Sequence, residues 1–458
     1  MVASYDLVVI GEGHVAEAAA IAAAQTHARV AWAPHFNPIY DPFLLLREGS
    51  RRFAQIKRSD SLQEWRSWTN TLMTAVQSSP SVVQSYGVDY VEGTVRFEQD
   101  DLWVGERMLR SRAYLLALHP EPSLPPIEDI KHPKVWTIPQ LWEQLRNHAW
   151  PQSIAVLGNG PQAVELSQSL QRLSLSVLLI TGDRPLLPNE DKDVAFLLQS
   201  YLEGDGIQIA SRGVLRSIQP SLDDSLVFEV GDEKYTAEVL VIAPEEDWRL
   251  PKVLEPLNLV QTQQGIVVNA SLQTSNPRIY AIGALLGGYS LPSVALQEAK
   301  LAVQNALFER RTLGAKLSPI QYHHLPYAIL SDPPLARVGL TEVQSQRYDP
   351  QVEVLKVDFG ECDLAQFDQT PVGLCKVLVQ KDGTILGAHI LGTAAGELIH
   401  LLALAIQQGI KLQGLGQLGY VSFTFAEVVQ RVSDQWWQQQ HRRDRNERWF
   451  YNRRQQIR

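Results

Sequence analysis

Cysteine is nearly absent from this chain: 458 residues contain two, Cys362 and Cys375. Two isolated thiols supply neither a disulfide framework nor a thiolate metal site, and no metal is expected. Long apolar runs are missing too, which excludes a membrane-spanning helix. The first strand begins at Tyr5, leaving no room for a signal peptide, so a reducing, cytoplasmic location is expected. An excess of positive charge is also lacking. The net charge of −9 removes any general reason to expect nucleic acid. What remains, 45% hydrophobic and 20% charged, is the composition of a globular protein long enough for two or three domains.

Residues 5–24 organise the rest. Leu7 to Ile10 reads as a strand buried on both faces, and Gly11, Gly13 and Ala16 fit G-x-G-x-x-G/A. The first glycine allows a tight turn, the second lets backbone approach a pyrophosphate, and the third small residue lets helix pack on strand. The alanine-rich run that follows supplies a helix whose N-terminal N–H groups face an anion. A second copy begins at Ser153, with Gly158, Gly160 and Ala163 in the turn, a helix over 164–173 and a strand over 177–180.

In each copy an acid should end the second strand and hold a ribose hydroxyl. The first copy has Pro34 there and no acid until Asp41. The second has Thr181, with Arg184 close enough either to meet a 2′-phosphate or to be a solvated surface residue.

Elsewhere, residues 60–78 have helical spacing, with Leu62, Trp65, Leu72 and Val76 on one side. Residues 88–118 alternate as strands, and 120–126 form a proline-rich boundary. A helix over 193–202, β-structure over 207–242, a strand group over 265–283 and a helix over 294–307 follow. From Tyr322 the pattern turns α+β, with strands over 335–339, 373–379 and 385–390 and a helix over 396–408. Cys375 reads as a small buried hydrophobe and Cys362 as a loop residue; neither is given a catalytic role. Residues 441–458 carry seven arginines against Asp444 and Glu447, with Trp449, Phe450 and Tyr451 among them. A solvated end is the plain reading. An arginine–aromatic patch that docks on an acidic protein or an anionic membrane surface is the sharper one.

In this order the motifs resemble the pyridine nucleotide-disulfide oxidoreductase family, the group of dihydrolipoamide dehydrogenase, glutathione reductase and mercuric reductase. The carrying segments are the two glycine turns with Glu165, Ser275-Asn276-Pro277-Arg278-Ile279-Tyr280-Ala281-Ile282-Gly283, Arg337-Val338-Gly339-Leu340-Thr341-Glu342, and Ile385-Leu386-Gly387-Ala388-His389-Ile390-Leu391-Gly392 with Gly396-Glu397-Leu398-Ile399. The resemblance implies an α/β fold with two Rossmann-like dinucleotide domains and a C-terminal α+β dimerisation domain. Its segments would be 1–150 and 256–318 for FAD, 151–255 for NAD(P) and 319–435 for dimerisation, with 436–458 as a basic aromatic tail. It also implies a homodimer, FAD and NAD(P) as cofactors, Gly283 beside the flavin cofactor and Glu165 near the nicotinamide.

The chemistry of the resemblance is interrupted. Such enzymes pass electrons through a Cys-x4-Cys pair beside the flavin, which should lie between Pro34 and Ala54. Ile39-Tyr40-Asp41-Pro42-Phe43-Leu44-Leu45-Leu46 contains no cysteine, and the lysine expected after the pair is missing. The family's His-Pro-Thr-x-x-Glu reads Ser422-Phe423-Thr424-Phe425-Ala426-Glu427, so Glu427 is retained while Ser422 cannot shuttle protons near neutral pH. The Gly-Asp that holds FAD reads Gly283-Ala284. The two Ala-Thr-Gly turns read Ala117-Leu118-His119 and Ile242-Ala243-Pro244. Together with Pro34 these changes weigh against tight FAD binding, whereas NAD(P) remains permitted at the second motif. Two functions stay open: a pseudoenzyme that binds or regulates, or a diaphorase-type flavoprotein passing electrons from NAD(P)H to a quinone or other small acceptor without cysteines.

Overall fold

A computed structural model describes residues 3–35, 46, 65–71, 80–98, 101–120, 126–243, 249–288, 291–308 and 319–443. The readings placed on 39–45, on Leu62, Leu72 and Val76, on Pro244 and on 444–458 lie outside them. The chain divides into two units, Met1–Leu186 with Glu203–Ile320, and Leu187–Leu202 with Gln321–Arg458.

In the first unit β1 (Ala3–Gly11) is central because its apolar residues are covered on both faces. It pairs in parallel with β2 (Val30–Ala33) on one side, and β2 pairs in turn with β3 (Asp89–Tyr90). The antiparallel strands β4 (Val95–Glu98) and β5 (Asp101–Val104) lead into β6 (Arg107–Ala117), the other parallel neighbour of β1. Helix α1 (Gly13–Ala24) follows β1 at once and buries Ala16, Ala19, Ala20 and Ala23, side chains small enough for close helix–sheet approach.

The chain then forms β7 (Val135–Thr137) and α2 (Ile138–Asn147), which starts at a Thr137–Gln140 capping box. Next come β8 (Ser153–Leu157), α3 (Pro161–Arg172), β9 (Ser176–Ile180), α4 (Lys192–Gly204) and β10 (Gln208–Ala210). An antiparallel meander of β11 (Leu215–Pro220), β12 (Leu226–Val230) and β13 (Glu233–Ala237) precedes β14 (Val239–Ile242). The second parallel sheet has the order β10-β9-β8-β14-β7. Finally β15 (Ile279–Ala281) returns to pair with β6, and α5 (Pro292–Phe308) packs beside α1 in the same apolar cluster.

The sequence spacing over 265–283 leads one to expect more strand than forms. Apart from β15 the segment makes two isolated bridges, Gln261–Ile266 and Gln273–Tyr280. The Asn269 carboxamide oxygen accepts from the N–H groups of Ser271 and Gln273 at 2.9 and 3.1 Å, a local turn that competes with a ladder.

The second unit is one antiparallel sheet of β16 (Tyr327–Ile329), β17 (Leu335–Gly339), β20 (Ile385–Leu391), β19 (Leu374–Val379) and β18 (Glu353–Asp358), in that order. Helices α6 (Ala395–Gln408) and α7 (Glu427–Arg443) contribute to its core. All six residues of β19 are buried. Cys375, Val377 and Val379 belong to the apolar cluster, while Lys376, on the alternate face, meets carboxylates of the Leu187–Leu202 segment. Cys362 lies between two short helices, as the N-cap of Asp363–Phe367, and is fully buried. Helix α7 runs on through Trp436 and Trp437, which the sequence reading assigns to the tail. Trp436 is buried, whereas Trp437 is exposed and its ring lies 3.6 Å, centroid to centroid, from that of His441.

Candidate functional site: two glycine turns and a thiol-free centre

At the first turn the C-terminal ends of β1, β6 and β15 come together. Gly11 stands opposite Ala117, Leu116 opposite Ala281, and the N–H of Ile282 donates to Leu116 O at 3.0 Å. A Cβ on Gly11 would sit 2.0 Å from the Ala117 carbonyl oxygen, so the position admits no side chain. Gly13 faces open space and Ala16 is fully buried. Gly283, two residues past β15, has φ +68° and donates its N–H to Glu298 Oε2 at 2.6 Å. Ala284 follows it.

Two contacts at this turn are absent from any reading of spacing alone. The Trp32 indole N–H donates to Gly11 O at 2.9 Å, which fixes the end of β1 from the neighbouring strand. Glu12, between the two glycines, is the N-cap of α1 but makes no side-chain cap bond. Its carboxylate turns to His119, with Oε1 3.1 Å from Nδ1, while Oε2 is buried and has no partner among the described residues. The signal for this pair was a charge set inside a glycine turn.

The second turn repeats the geometry. A Cβ on Gly158 would lie 2.4 Å from Ala243 O and 2.9 Å from the Ala163 methyl, so the glycine and the fully buried alanine are fitted to one another. The Gly158 N–H donates to Ile180 O at 3.0 Å. Gly160 is the N-cap of α3, where Pro161 at the first position lacks only an N–H with no intrahelical partner anyway. Glu165 is buried one turn into α3, and Arg184 is exposed. Thr181, at the end of β9, is 6% exposed and its hydroxyl has no partner among the described residues. The two turns belong to different sheets.

Neither thiol lies at either turn. Burial pushes the Cys375 thiol up to about 12, so no thiolate forms near neutral pH. The Cys362 sulfur lies 3.6 Å from Thr424 O and 3.8 Å from Glu427 Oε2. Glu427 itself is held by backbone: the N–H of Phe423 donates to Oε1 at 2.9 Å and that of Asp363 to Oε2 at 3.4 Å. Ser422 is exposed beside them. Among the described residues no group of three His, Cys, Asp or Glu side chains is placed to hold a metal, and no helix is long and apolar enough to cross a membrane.

Sequence reasoning also passed over an ionic cluster in the second unit. Lys376, 1% exposed, donates to Asp191 Oδ1 at 2.7 Å, Asp193 Oδ2 at 2.7 Å and Glu342 Oε2 at 2.6 Å. Burial alone would lower this ammonium's pKa, but the three carboxylates outweigh it and raise it. Glu190 accepts from the Tyr327 hydroxyl at 2.5 Å and lies 3.7 Å from Arg337; its burial nonetheless pushes its carboxyl up. His389, fully buried, is pushed down to about 4, first by burial and then by the Arg337 charge. A lysine inside the apolar run Leu374-Cys375-Lys376-Val377-Leu378 was the signal for buried pairing.

Comparison with known proteins accords with this architecture. The family model described as pyridine nucleotide-disulphide oxidoreductase matches residues 5–304, and the dimerisation-domain model of the same family matches 325–432. Mercuric reductase of Staphylococcus aureus is 26% identical over 452 residues, covering 92% of this chain and 81% of that protein. A dihydrolipoyl dehydrogenase of Bacillus subtilis is 25% identical over 291 residues, 62% of this chain and 60% of that protein. Among solved structures, a Cu(II) complex of the HOCl-induced flavoprotein disulfide reductase RclA from Escherichia coli superposes with TM-score 0.80 at 21% identity, covering 94% of this chain and 99% of that one. LpdA from Mycobacterium tuberculosis gives TM-score 0.81 at 19% identity, covering 94% and 99%. The chain belongs to the pyridine nucleotide-disulfide oxidoreductase family.

Proposed function

We propose that this chain is a dimeric binding or regulatory protein built on an oxidoreductase fold, without disulfide reductase chemistry. The observation that carries the reading is the cysteine inventory: two residues in the whole sequence, both buried in the second unit and neither at a glycine turn. No dithiol is available to accept electrons from a flavin or to attack a substrate disulfide.

FAD, which the family implies, is on this reading a poor fit for the first turn. A carboxylate stands between its glycines, Ala284 offers no acceptor for the ribityl chain, and Pro34 offers none for a ribose. Each missing polar contact costs about 1–3 kcal/mol. NAD(P) fits the second turn better. Gly158, Gly160 and the N-terminus of α3 would hold its diphosphate, with Thr181 and Arg184 on the ribose side. A bound nicotinamide would supply hydride chemistry, with Glu165 beside it.

The match to a dimerisation domain supports a homodimer, and residues 440–458 are proposed to dock the dimer, in the cytoplasm, on an acidic protein or an anionic membrane surface. The test is to denature purified protein and measure released flavin and nicotinamide nucleotide, then assay turnover. Little flavin and no reductase activity support the reading. A diaphorase is the second reading, favoured by the well-fitted Gly158–Ala163 contact; a yellow protein that oxidises NAD(P)H with a quinone would establish it instead.

A further inference from the structure

The two glycine turns share their steric plan and differ in charge. In each, the first glycine lies against a carbonyl oxygen of the facing turn, Ala117 O in one and Ala243 O in the other. Between the glycines the first turn carries Glu12 and the second carries the neutral Asn159. The Glu12 side chain is 13% exposed, one oxygen is on His119 and the other is buried with no donor among the described residues. It stands at the mouth of α1, where the helix dipole favours one negative charge and the backbone N–H groups would otherwise face a diphosphate.

We infer that Glu12 is the residue that excludes a dinucleotide diphosphate from the first turn, and that His119 fixes its carboxylate in place. The inference deepens the proposed function and rests on it. A diphosphate would bring two negative charges close to a poorly solvated carboxylate, and at such range and dielectric the repulsion outweighs a single hydrogen bond. His119 offsets one unit of charge at most, and Glu12 already occupies the ring nitrogen that faces it. The turn therefore keeps its shape, as helix–strand packing requires, while its electrostatic role is met from within the chain.

The test is a reciprocal exchange in the full-length protein, with FAD, riboflavin and NADH as probes. Glu12→Asn should bind FAD at least tenfold more tightly than wild type, and Glu12→Asn with His119→Gly more tightly still. Glu12→Asp, which keeps the charge, should stay as weak as wild type. Riboflavin, which has no phosphate, should not distinguish Glu12→Asn from wild type. Conversely, Asn159→Glu should weaken NADH binding at least tenfold, and unchanged NADH binding in the Glu12 variants shows that they are folded. If Glu12→Asn and the double variant remain as weak for FAD as wild type while binding NADH normally, the inference is wrong and the proposed function stands. If wild-type protein itself purifies with stoichiometric FAD, both are wrong.

Discussion

The ammonium of Lys376 and the carboxylate of Asp191 meet at 2.7 Å with both side chains almost wholly out of water, 1% and 2% exposed. Asp191 precedes α4 and Lys376 is in the middle of β19, so the pair fastens the Leu187–Leu202 segment to the second unit's sheet. Removing one partner of a buried pair leaves the other charge uncompensated. Lys376→Met should therefore destabilise the second unit by about 3–5 kcal/mol, read as a lower urea midpoint. A midpoint within error of wild type would show that water reaches the carboxylates.

His389 makes stability depend on pH. Its folded pKa of about 4 lies below its value of 6.5 in a free chain, so the unfolded state binds the extra proton between those values. Its contribution is fully present above pH 6.5 and is lost as pH falls toward 4, on the order of 3 kcal/mol over the whole window. Urea melts at neutral and mildly acidic pH should show this slope in wild type and a flatter one in His389→Gln.

Thiol chemistry should be absent. Purified protein should not couple NAD(P)H oxidation to lipoamide, glutathione disulfide or a mercuric ion, since Cys375 is held protonated and Cys362 is enclosed beside Glu427. Loss of nicotinamide absorbance that depends on any of these substrates would refute this.

The contact of Gly158 with Ala243 O leaves no room for a methyl group. Gly158→Ala should destabilise the protein by about 1–3 kcal/mol and displace α3 from β8, weakening NADH binding with it. Gly105→Ala, whose added Cβ would meet nothing within 4 Å at φ +58°, should cost only about 1–2 kcal/mol of backbone strain and leave NADH binding intact.

Sedimentation at micromolar concentration should report a two-fold dimer, as expected of a chain whose residues 325–432 match a dimerisation domain. Deleting 440–458 should leave the dimer intact but remove any association with acidic proteins or anionic vesicles, and that association should weaken as salt rises.

Much of this fold was legible because its signals are local. Gly11, Gly13 and Ala16, and their counterparts Gly158, Gly160 and Ala163, fix a strand, a turn and a helix within a dozen residues, and the period-2 runs around Leu335 and Ile385 fix strands. What spacing could not give were pairs joined over long separations: Glu12 with His119, Trp32 with Gly11, Lys376 with Asp191. Each is a polar group whose burial depends on where a distant segment lands. The strand group expected over 265–283 was overestimated for the opposite reason, since Asn269 closes a turn with its own neighbours.

Glu427 has a consequence for anyone who would build a proton shuttle at this bend. Its two oxygens are occupied by the N–H groups of Phe423 and Asp363, and Phe423 takes a left-handed φ of +57° where it meets Oε1. The carboxylate now serves as masonry for the bend before α7. A histidine installed at Ser422 would meet a carboxylate whose position is already set by two backbone N–H groups. Building a proton shuttle here means re-laying the bend as well as changing one letter.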